Sequence, residues 1–287
     1  PVIKVQHHHA HIASCMAEHG LDETVIGISL DGTGYGTDGR IWGGEFLIAG
    51  LGDFSRFTHF DYVPMPGGDK AISEPWRMAF SYLYKYFGES IDYKIFPWFN
   101  SKDRHSIILL KEMIDSHINS PDTSGAGRLF DAVSAILGLS STATFDSEAP
   151  MRLESVIDCN TDMYYPFTIG KAVVFADTLK AILNDLPNKE ISVISAKFHN
   201  TIAHAILEVS EMIRKEGHLN KVVLSGGVFQ NKYLLETAYN MLINSKFEVF
   251  SNHLVPSNDG GISLGQLVIA SKKIENVSEY SGQDLIN

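Results

Sequence analysis

The chain has 287 residues, of which 44% are hydrophobic and 20% charged, a composition typical of a globular protein with one large domain or two lobes. The formal net charge of −11 disfavours nucleic acid as a partner, because phosphate backbones attract basic surfaces. Two cysteines, Cys15 and Cys159, are too few for a disulfide framework, and the absence of a ~20-residue apolar run and of signal-peptide features leads us to expect a cytoplasmic protein without membrane contact.

The first predicted element is a helix at about 7–19, with Gly20 as its C-cap. His7 and His11 are four residues apart, so their imidazoles lie on one face of this helix and can hold a divalent metal. A purification tag and histidines without a metal are the alternatives, although Ala10 interrupts the histidine run. A metal would need at least one further ligand from another part of the chain.

A hairpin follows, with strands predicted at 24–30 and 41–49 and a glycine-rich turn at 31–39. Alternating glycines let a ligand approach the peptide N–H groups closely. Asp31 stands at the mouth of this turn, where a carboxylate can hold a metal or its water beside a phosphate. Actin-like and sugar-kinase-like ATPases bind phosphate in this way, and a plain glycine hairpin is the alternative.

The region from about 50 to 190 is predicted to be an insertion rich in helices. We expect an irregular segment at 50–72, loops at 92–103 and 118–126, and helices at about 74–87, 104–117, 127–138 and 148–156. Lys70 and Arg77 are candidate cationic contacts for a phosphate-bearing ligand. Arg128 is a further candidate, although its spacing from Asp131 also suits a simple ion pair.

The last third alternates helix and strand, which indicates an α/β fold with helices flanking a mixed sheet. The predicted order is a long helix at 192–216, a strand at 221–225, a helix at about 229–243, a strand at 247–250, a helix at about 261–273 and a fraying polar tail at 275–287. His199 on the long helix could act as an acid or base in a cleft, or could be a hydrogen-bonded structural residue.

Two loops in this last third carry further candidates. Gly226 and Gly227 lead from a strand into a helix, so bare backbone and a helix N-terminus can face a nucleotide, and Asn231 could reach a ribose or purine. A tight strand-to-helix turn is the alternative. Asp259 sits at a predicted helix N-cap, which alone would explain it. Together with two histidines it would also make a three-ligand set for Fe(II) or Zn(II).

In these motifs the chain resembles the C-terminal part of HypF, the carbamoyltransferase of nickel–iron hydrogenase maturation. The likeness runs in order over nearly the whole chain, through residues 7–11, 31–36, 67–71, 74–79, 127–133, 148–151, 198–200, 225–231 and 257–261. More distant relatives share only the histidine pair, the glycine loops and the late aspartate. These are the tRNA threonylcarbamoyladenosine synthases and the antibiotic O-carbamoyltransferases.

The resemblance implies an actin-like ATPase (ASKHA) fold of ribonuclease-H-like lobes with an α-rich insertion. Residues 1–24 would be the remnant of a truncated first lobe, residues 25–274 the second lobe, and the upstream domains of the family would be missing. The implied reaction is carbamoyl transfer from carbamoyl adenylate to the C-terminal cysteine of HypE, which gives a cyanide ligand of the hydrogenase. A YrdC-like upstream domain would make the adenylate from carbamoyl phosphate and ATP, so this chain alone should lack that step.

Site residues carried over by position fall into two sets. His7, His11 and Asp259 would bind a divalent metal (Fe, Zn or Mg), with Asp31 facing the metal and the phosphates. The nucleotide, ATP or AMP as the adenylate, would be lined by Asp31, Gly32, Thr33, Gly34, Gly226, Gly227, Gln230 and Asn231. Two alternatives stay open: a transferase of the same fold that acts on tRNA or a small hydroxylated metabolite, and a non-catalytic nucleotide-binding docking module.

Overall fold

The structure is a computed structural model that describes residues 2–283. Within that range the strands are β1 (Val25–Tyr35), β2 (Ile41–Ala49), β3 (Phe54–His59), β4 (Val63–Pro64), β5 (Asp122–Thr123), β6 (Thr168–Ile169), β7 (Val173–Val174), β8 (Lys221–Ser225) and β9 (Glu248–Ser251). Seven of them form one mixed sheet in the order β4-β5-β2-β1-β8-β9, with β3 paired to β2, while β6 and β7 pair separately.

Helices surround this sheet. They are α1 (His7–Glu18), α2 (Lys70–Ser73), α3 (Trp76–Phe87), α4 (Pro97–Ser101), α5 (Arg104–Asp115), α6 (Ala126–Ile136), α7 (Glu148–Ser155), α8 (Ala176–Asp185), α9 (Ile191–Gly217), α10 (Lys232–Asn244) and α11 (Ile262–Gln283). Short 3-10 turns at Gly227–Gln230 and Asp259–Gly261 lead into the last two helices. None of the helices in the described range is long and apolar enough to cross a membrane.

The centre of the sheet determines where a ligand can bind. β1 runs antiparallel to β2 and parallel to β8, and β8 runs parallel to β9. Ser29 is paired with Ser225 at the carboxyl end of the parallel pair, so the segments that follow these two residues extend beyond the pairing of β1 with β8 at the same edge. Crevices at the carboxyl ends of parallel strands are the usual ligand sites of such sheets.

The two faces of β1 belong to different parts of the core, because successive side chains on a strand point to opposite sides. Ile26, Ile28 and Leu30 belong to the main hydrophobic core. The opposite face of the sheet is covered by α1, and a Cβ on Gly27 would lie only 2.8 Å from the side chain of Ile12. Glycine at position 27 therefore lets the histidine-bearing helix pack directly on the central strand.

Helix α11 crosses α1 equally closely. A Cβ on Gly265 would lie 1.9 Å from the carbonyl oxygen of Ala10, so a larger residue could not be accommodated without moving one helix. This crossing brings the start of α11, and the Asp259–Gly261 turn before it, next to the first turns of α1. This packing contact joins the first and last helices of the described range.

The predicted order of long helices and strands is confirmed, and several of the differences fall in short or glycine-rich segments. Residues 31–35 continue β1 instead of starting the turn, since the backbone pairs with β2 again after a bulge between Leu30 and Gly34. The segment 50–72 is not irregular, because it contains β3, β4 and the start of α2. The loops at 92–103 and 118–126 contain α4 and β5.

Three further differences concern helices. Helix α8 has no counterpart in the sequence prediction, and the helix expected at 229–243 begins at Lys232 after a 3-10 turn. Helix α11 continues to Gln283, so residues 275–283 are helical where a fraying tail was predicted. Residues 284–287 of the predicted tail lie outside the described residues.

Candidate metal and nucleotide site

Four donor groups converge at the first turns of α1. The Nε2 atom of His7 lies 3.0 Å from Oδ2 of Asp31 and 3.4 Å from Oδ1 of Asp259. The Nε2 atom of His11 lies 3.2 Å from the same oxygen of Asp31 and 3.5 Å from that of Asp259. The ligand atoms of all four side chains lie within 4.8 Å of one another. The predicted convergence of two imidazoles and a late carboxylate on one point is therefore present, and Asp31 joins them.

Local structure places the two imidazoles. Gln6 caps α1 by accepting a hydrogen bond from the N–H of His9 at 2.8 Å, which starts the helix at His7. The four-residue spacing then sets the Nε2 atoms of His7 and His11 3.2 Å apart. Gly34 packs against the rings, since a Cβ there would lie 2.7 Å from the imidazole of His7. The structure thus gives Gly34 a packing role beside the histidines.

This donor set fits a divalent cation. Ligands about 2.1 Å from a tetrahedral zinc ion are separated by about 3.4 Å from one another, and the four histidine–carboxylate distances range from 3.0 to 3.5 Å. Two imidazole nitrogens that face each other at 3.2 Å can share only one proton between them. Neutral imidazoles and carboxylates form a ligand set that suits Zn(II) and Fe(II).

The electrostatics of the group favour positive charge at its centre. Contact with the Asp31 carboxylate raises the pKa of His7, against the opposing effect of burial. Burial disfavours the charged form of Asp31, but hydrogen bonds from His11 and His7 and the charge of His11 outweigh burial and lower the pKa of this carboxyl. The second oxygen of Asp31 accepts the N–H of Gly32 at 2.8 Å. Asp31 is therefore an oriented carboxylate with one oxygen directed at both imidazoles.

Asp259 is the exposed member of the group. Its side chain is 71% exposed, compared with 13% for Asp31. Glu18, at the end of α1, holds the loop that leads to Asp259. Its two carboxylate oxygens accept the N–H groups of His253, Leu254 and Val255 at 2.8–3.1 Å. The helix that carries the histidines thus also fixes the loop that brings the second carboxylate.

A cleft of about 640 Å³ opens beside the donor group. Asp31 and Asp259 belong both to the donor group and to the lining of the cleft. Of the residues predicted to bind the nucleotide, those that line the cleft are Asp31, Gly32, Thr33, Gly227, Gln230 and Asn231. Gly226 lies behind this lining with φ of 109°, and a Cβ there would lie 2.3 Å from the carbonyl oxygen of Leu30. Position 226 requires glycine because the backbone there lies so close to strand β1.

The family model for the carbamoyltransferase Kae1-like domain, second subdomain, matches residues 27–266. The chain belongs to this family. It is 37% identical to carbamoyltransferase HypF of Synechocystis sp., over 93% of the chain and 37% of that relative. It is 33% identical to the carbamoyltransferase HypF homolog of Cupriavidus necator, over 95% of the chain and 72% of that relative. The chain thus spans well under half of the Synechocystis relative.

The solved structures show the same fold. A crystal structure of full-length HypF in its phosphate- and nucleotide-bound form matches this chain with a TM-score of 0.90 and 46% identity, over 96% of this chain and 44% of that one. The predicted α/β architecture of the ASKHA class is thereby confirmed for the Kae1-like domain. The family assignment made from the motifs is confirmed as well.

Two of the candidate residues in this Kae1-like domain already have protein partners. Asn231 caps α10 by accepting the N–H of Leu234 at 2.9 Å, and its amide donates to Nε2 of His199 at 2.9 Å. The Nδ1–H of His199 donates to the carbonyl oxygen of Ser195 at 2.8 Å. Burial lowers the pKa of His199 to about 4. His199 is therefore a neutral structural histidine that does not line the cleft, and Asn231 connects it to the cleft wall.

The three candidate cations are placed differently. Arg128 lines the cleft, with its Nε atom 2.8 Å from Oδ2 of Asp131. Burial raises the pKa of Asp131 to about 6, an effect that Arg128 opposes. Lys70 and Arg77 do not line the cleft, and both form ion pairs with Glu74. The structure thus brings only Arg128 of these three to the candidate site.

Sequence reasoning missed most of the far wall of the cleft. This wall comes from α7 and the two residues before it, namely Asp146, Ser147, Pro150, Met151 and Glu154. Ser147 adopts the left-handed conformation with φ of 64°, which non-glycine residues rarely do. The contribution of Glu18 was also missed, because a carboxylate at the end of a helix gives no local signal that it binds a loop more than 230 residues away.

Proposed function

We propose that this chain catalyses transfer of a carbamoyl group from carbamoyl adenylate to the C-terminal cysteine of HypE, in the cytoplasm, during synthesis of the hydrogenase cyanide ligands. The names of its relatives support carbamoyl transfer by the full-length proteins. The observation that carries the proposal for this chain is the junction of the donor group and the cleft, which share Asp31 and Asp259. A phosphate-bearing ligand in the cleft would present its reactive end to the donor group.

The reaction requires three things of the protein. Carbamoyl adenylate is a mixed anhydride, so the acceptor thiol must be deprotonated, the carbonyl must be polarised, and AMP must leave with an additional negative charge. The acceptor is proposed to come from the partner, because Cys15 is buried and burial raises the pKa of its thiol to about 12. Cys15 therefore packs in the core between α1 and the sheet.

His7, His11, Asp31 and Asp259 are the residues that would hold a divalent cation, which would supply a Lewis acid at the carbonyl or the thiolate. The remaining work belongs to the chain itself. Asp31 orients both imidazoles through its contacts at 3.0 and 3.2 Å. Backbone groups at Gly32 and Gly227 border the cleft, where glycine lets a ligand come close to the main chain.

The adenylate is proposed to arrive from a YrdC-like domain and to bind in the cleft that adjoins the donor group. The phosphate- and nucleotide-bound state named for the HypF crystal structure supports occupation of such a cleft by a nucleotide. Transfer to tRNA is the rival reaction within this fold, and the net charge of −11 disfavours it.

The decisive experiment offers synthetic carbamoyl adenylate to the purified chain together with two acceptors. One is a peptide that carries the HypE C-terminal cysteine, and the other is total tRNA. We expect the chain to accelerate carbamoylation of the peptide above the uncatalysed rate, measured by mass spectrometry. The same peptide with serine in place of cysteine is the matched control and should remain unmodified. Carbamoylation of tRNA, or no acceleration with either acceptor, would overturn the proposal.

A further inference from the structure

Positive charge is scarce in the cleft. Among the described residues that line it, Asp31, Asp146, Glu154 and Asp259 are acidic and Arg128 is the single basic one. A phosphate placed against Asp146 or Glu154 would be repelled, whereas one placed against a guanidinium would be attracted and could be held by two parallel hydrogen bonds. Arg128 is therefore the side chain among these lining residues that attracts a phosphate without a bound cation.

The guanidinium of Arg128 is held in place through one of its three nitrogens. Its Nε atom is fixed by Asp131 at 2.8 Å, and its side chain is only 6% exposed. Among residues 2–275, whose side chains the structure describes, its two terminal nitrogens have no hydrogen-bond partner. They lie beside Gly32, where a Cβ would be 3.5 Å from Nη2 and 3.7 Å from Nη1. Asp131 thus accepts a hydrogen bond from the Nε–H of Arg128 and orients the guanidinium. The two terminal nitrogens of Arg128 remain available to a ligand in the cleft.

The helix that carries Arg128 adds a second set of donors. Helix α6 begins at Ala126 with Gly125 as N-cap, and no side chain caps it. Among the described residues no acceptor is found for the N–H groups of Ala126 and Gly127, and Gly127 lines the cleft. Uncapped N–H groups and the positive end of the helix dipole form an anion site. Gly127 also packs against Gly32, since a Cβ there would be 3.0 Å from its Cα.

We infer that Arg128 and the N-terminus of α6 form a phosphate site, which takes the phosphate of an adenylate and is separate from the metal-donor group. This assignment rests on the proposed function for its substrate class. The thiolate forms a bond to the carbamoyl carbon, and the bond from that carbon to the phosphate oxygen breaks. The electron pair stays on this oxygen, so the phosphate changes from one negative charge to two as AMP leaves.

The two sites then divide the work. The developing charge on the leaving phosphate meets Arg128 and the α6 N–H groups, which are in place before the reaction and need no rearrangement. The two histidines and two aspartates remain available for the carbonyl or the sulfur. Asp131 is a positioning residue, because it contacts Arg128 and does not line the cleft.

The test compares AMP with adenosine, which differ only by the phosphate, in calorimetric titrations of the chain. Arg128→Lys keeps a cation beside the buried Asp131 but lacks the two-nitrogen fork. Arg128→Gln combined with Asp131→Asn replaces the ion pair by a neutral pair and guards against misfolding. We expect AMP to bind roughly 10- to 100-fold more weakly to both variants, with adenosine affinity unchanged. Arg152→Gln removes an exposed cation that pairs with Glu148, and should leave AMP affinity unchanged.

A chelator separates the phosphate site from the metal-donor group. We expect AMP affinity of the unmodified chain to survive EDTA treatment within a few-fold. Loss of AMP binding in EDTA would contradict the phosphate site. So would Arg128 variants that weaken the binding of AMP and adenosine equally, or that weaken the binding of neither ligand. These titrations do not depend on turnover. AMP binding through Arg128 without carbamoylation of the cysteine peptide would therefore contradict the proposed function and leave this site standing.

Discussion

Two helices of this chain carry buried histidines, and the histidines have opposite surroundings. On α9, the ring of His199 has one nitrogen bonded to a backbone carbonyl and the other to the amide of Asn231. On α1, the Nε2 atoms of His7 and His11 face each other and two carboxylates. The first arrangement is complete with protein atoms alone. The second concentrates acceptors on one point, and a cation satisfies all of them.

The protonation preferences of the two regions agree with this difference. Burial lowers the pKa of His199 to about 4, so the ring is neutral at pH 7. Contact with Asp31 raises the pKa of His7 despite its burial. A histidine in a helix is therefore not diagnostic by itself. The partners of its two ring nitrogens distinguish a structural histidine from a metal ligand.

The largest expected effect is loss of metal from the variant His7→Ala combined with His11→Ala. Changes in the surroundings of a ligand typically cost 10- to 100-fold in metal affinity, and removing two of the ligands should cost more. We expect metal that copurifies with the unmodified chain to be absent from the variant, as measured by elemental analysis. His105→Ala is the control, because His105 is exposed on α5. Retention of stoichiometric metal by the double variant would contradict the assignment.

A change on α9 should have the reverse outcome, lower stability with metal content unchanged. His199→Ala leaves the amide of Asn231 without its partner, which costs about 1–3 kcal/mol in the free energy of unfolding, together with the cost of a cavity. Chemical denaturation measures this loss. The expectation fails if metal is lost while stability is retained.

The same histidine should make stability depend on pH. Its folded-state pKa of about 4 lies below the unfolded value of 6.5, so the unfolded chain binds the proton first as the pH falls. The free energy of unfolding should therefore decrease from pH 6.5 down to about 4, by up to about 3 kcal/mol. His199→Gln can keep both hydrogen bonds but cannot titrate, so its denaturation curves should lack this part of the decrease. Identical pH profiles would contradict the prediction.

The smallest expected effect concerns the loop that carries Asp259. Hydrogen bonds from three backbone N–H groups lower the pKa of Glu18 against the opposing effect of burial. Glu18→Gln removes the charge and one acceptor oxygen, so the loop should be held less firmly. We expect metal affinity to fall by less than about 10-fold, measured by competition with a chelator. Glu23→Gln is the control, because it alters an exposed carboxylate paired with Lys221. This variant should keep the metal affinity of the unmodified chain.

Local patterns predicted the long elements well. The helix at His7–Glu18, the strand Ile41–Ala49 and the long helix Ile191–Gly217 lie close to the predicted ranges, because each has sustained periodicity or a clear cap. Strand β3 could not be predicted in this way, since its backbone is stabilised by pairing with β2. The glycine-rich residues 31–35 resemble a turn locally, yet pairing across the bulge keeps them in the strand.

The sequence by itself determined that two imidazoles share one helix face, that glycine loops follow two strands, and that a carboxylate precedes the last helix, because spacing and turn chemistry are local properties. The tertiary structure decided that Asp31 lies beside the other metal donors, that His199 and Asn231 bond to each other, and that Arg128 lines the cleft while its Nε atom pairs with Asp131. These outcomes depend on contacts between segments far apart in the chain. Such contacts are fixed by close packing, as at Gly265 against Ala10, and no short-range pattern encodes them.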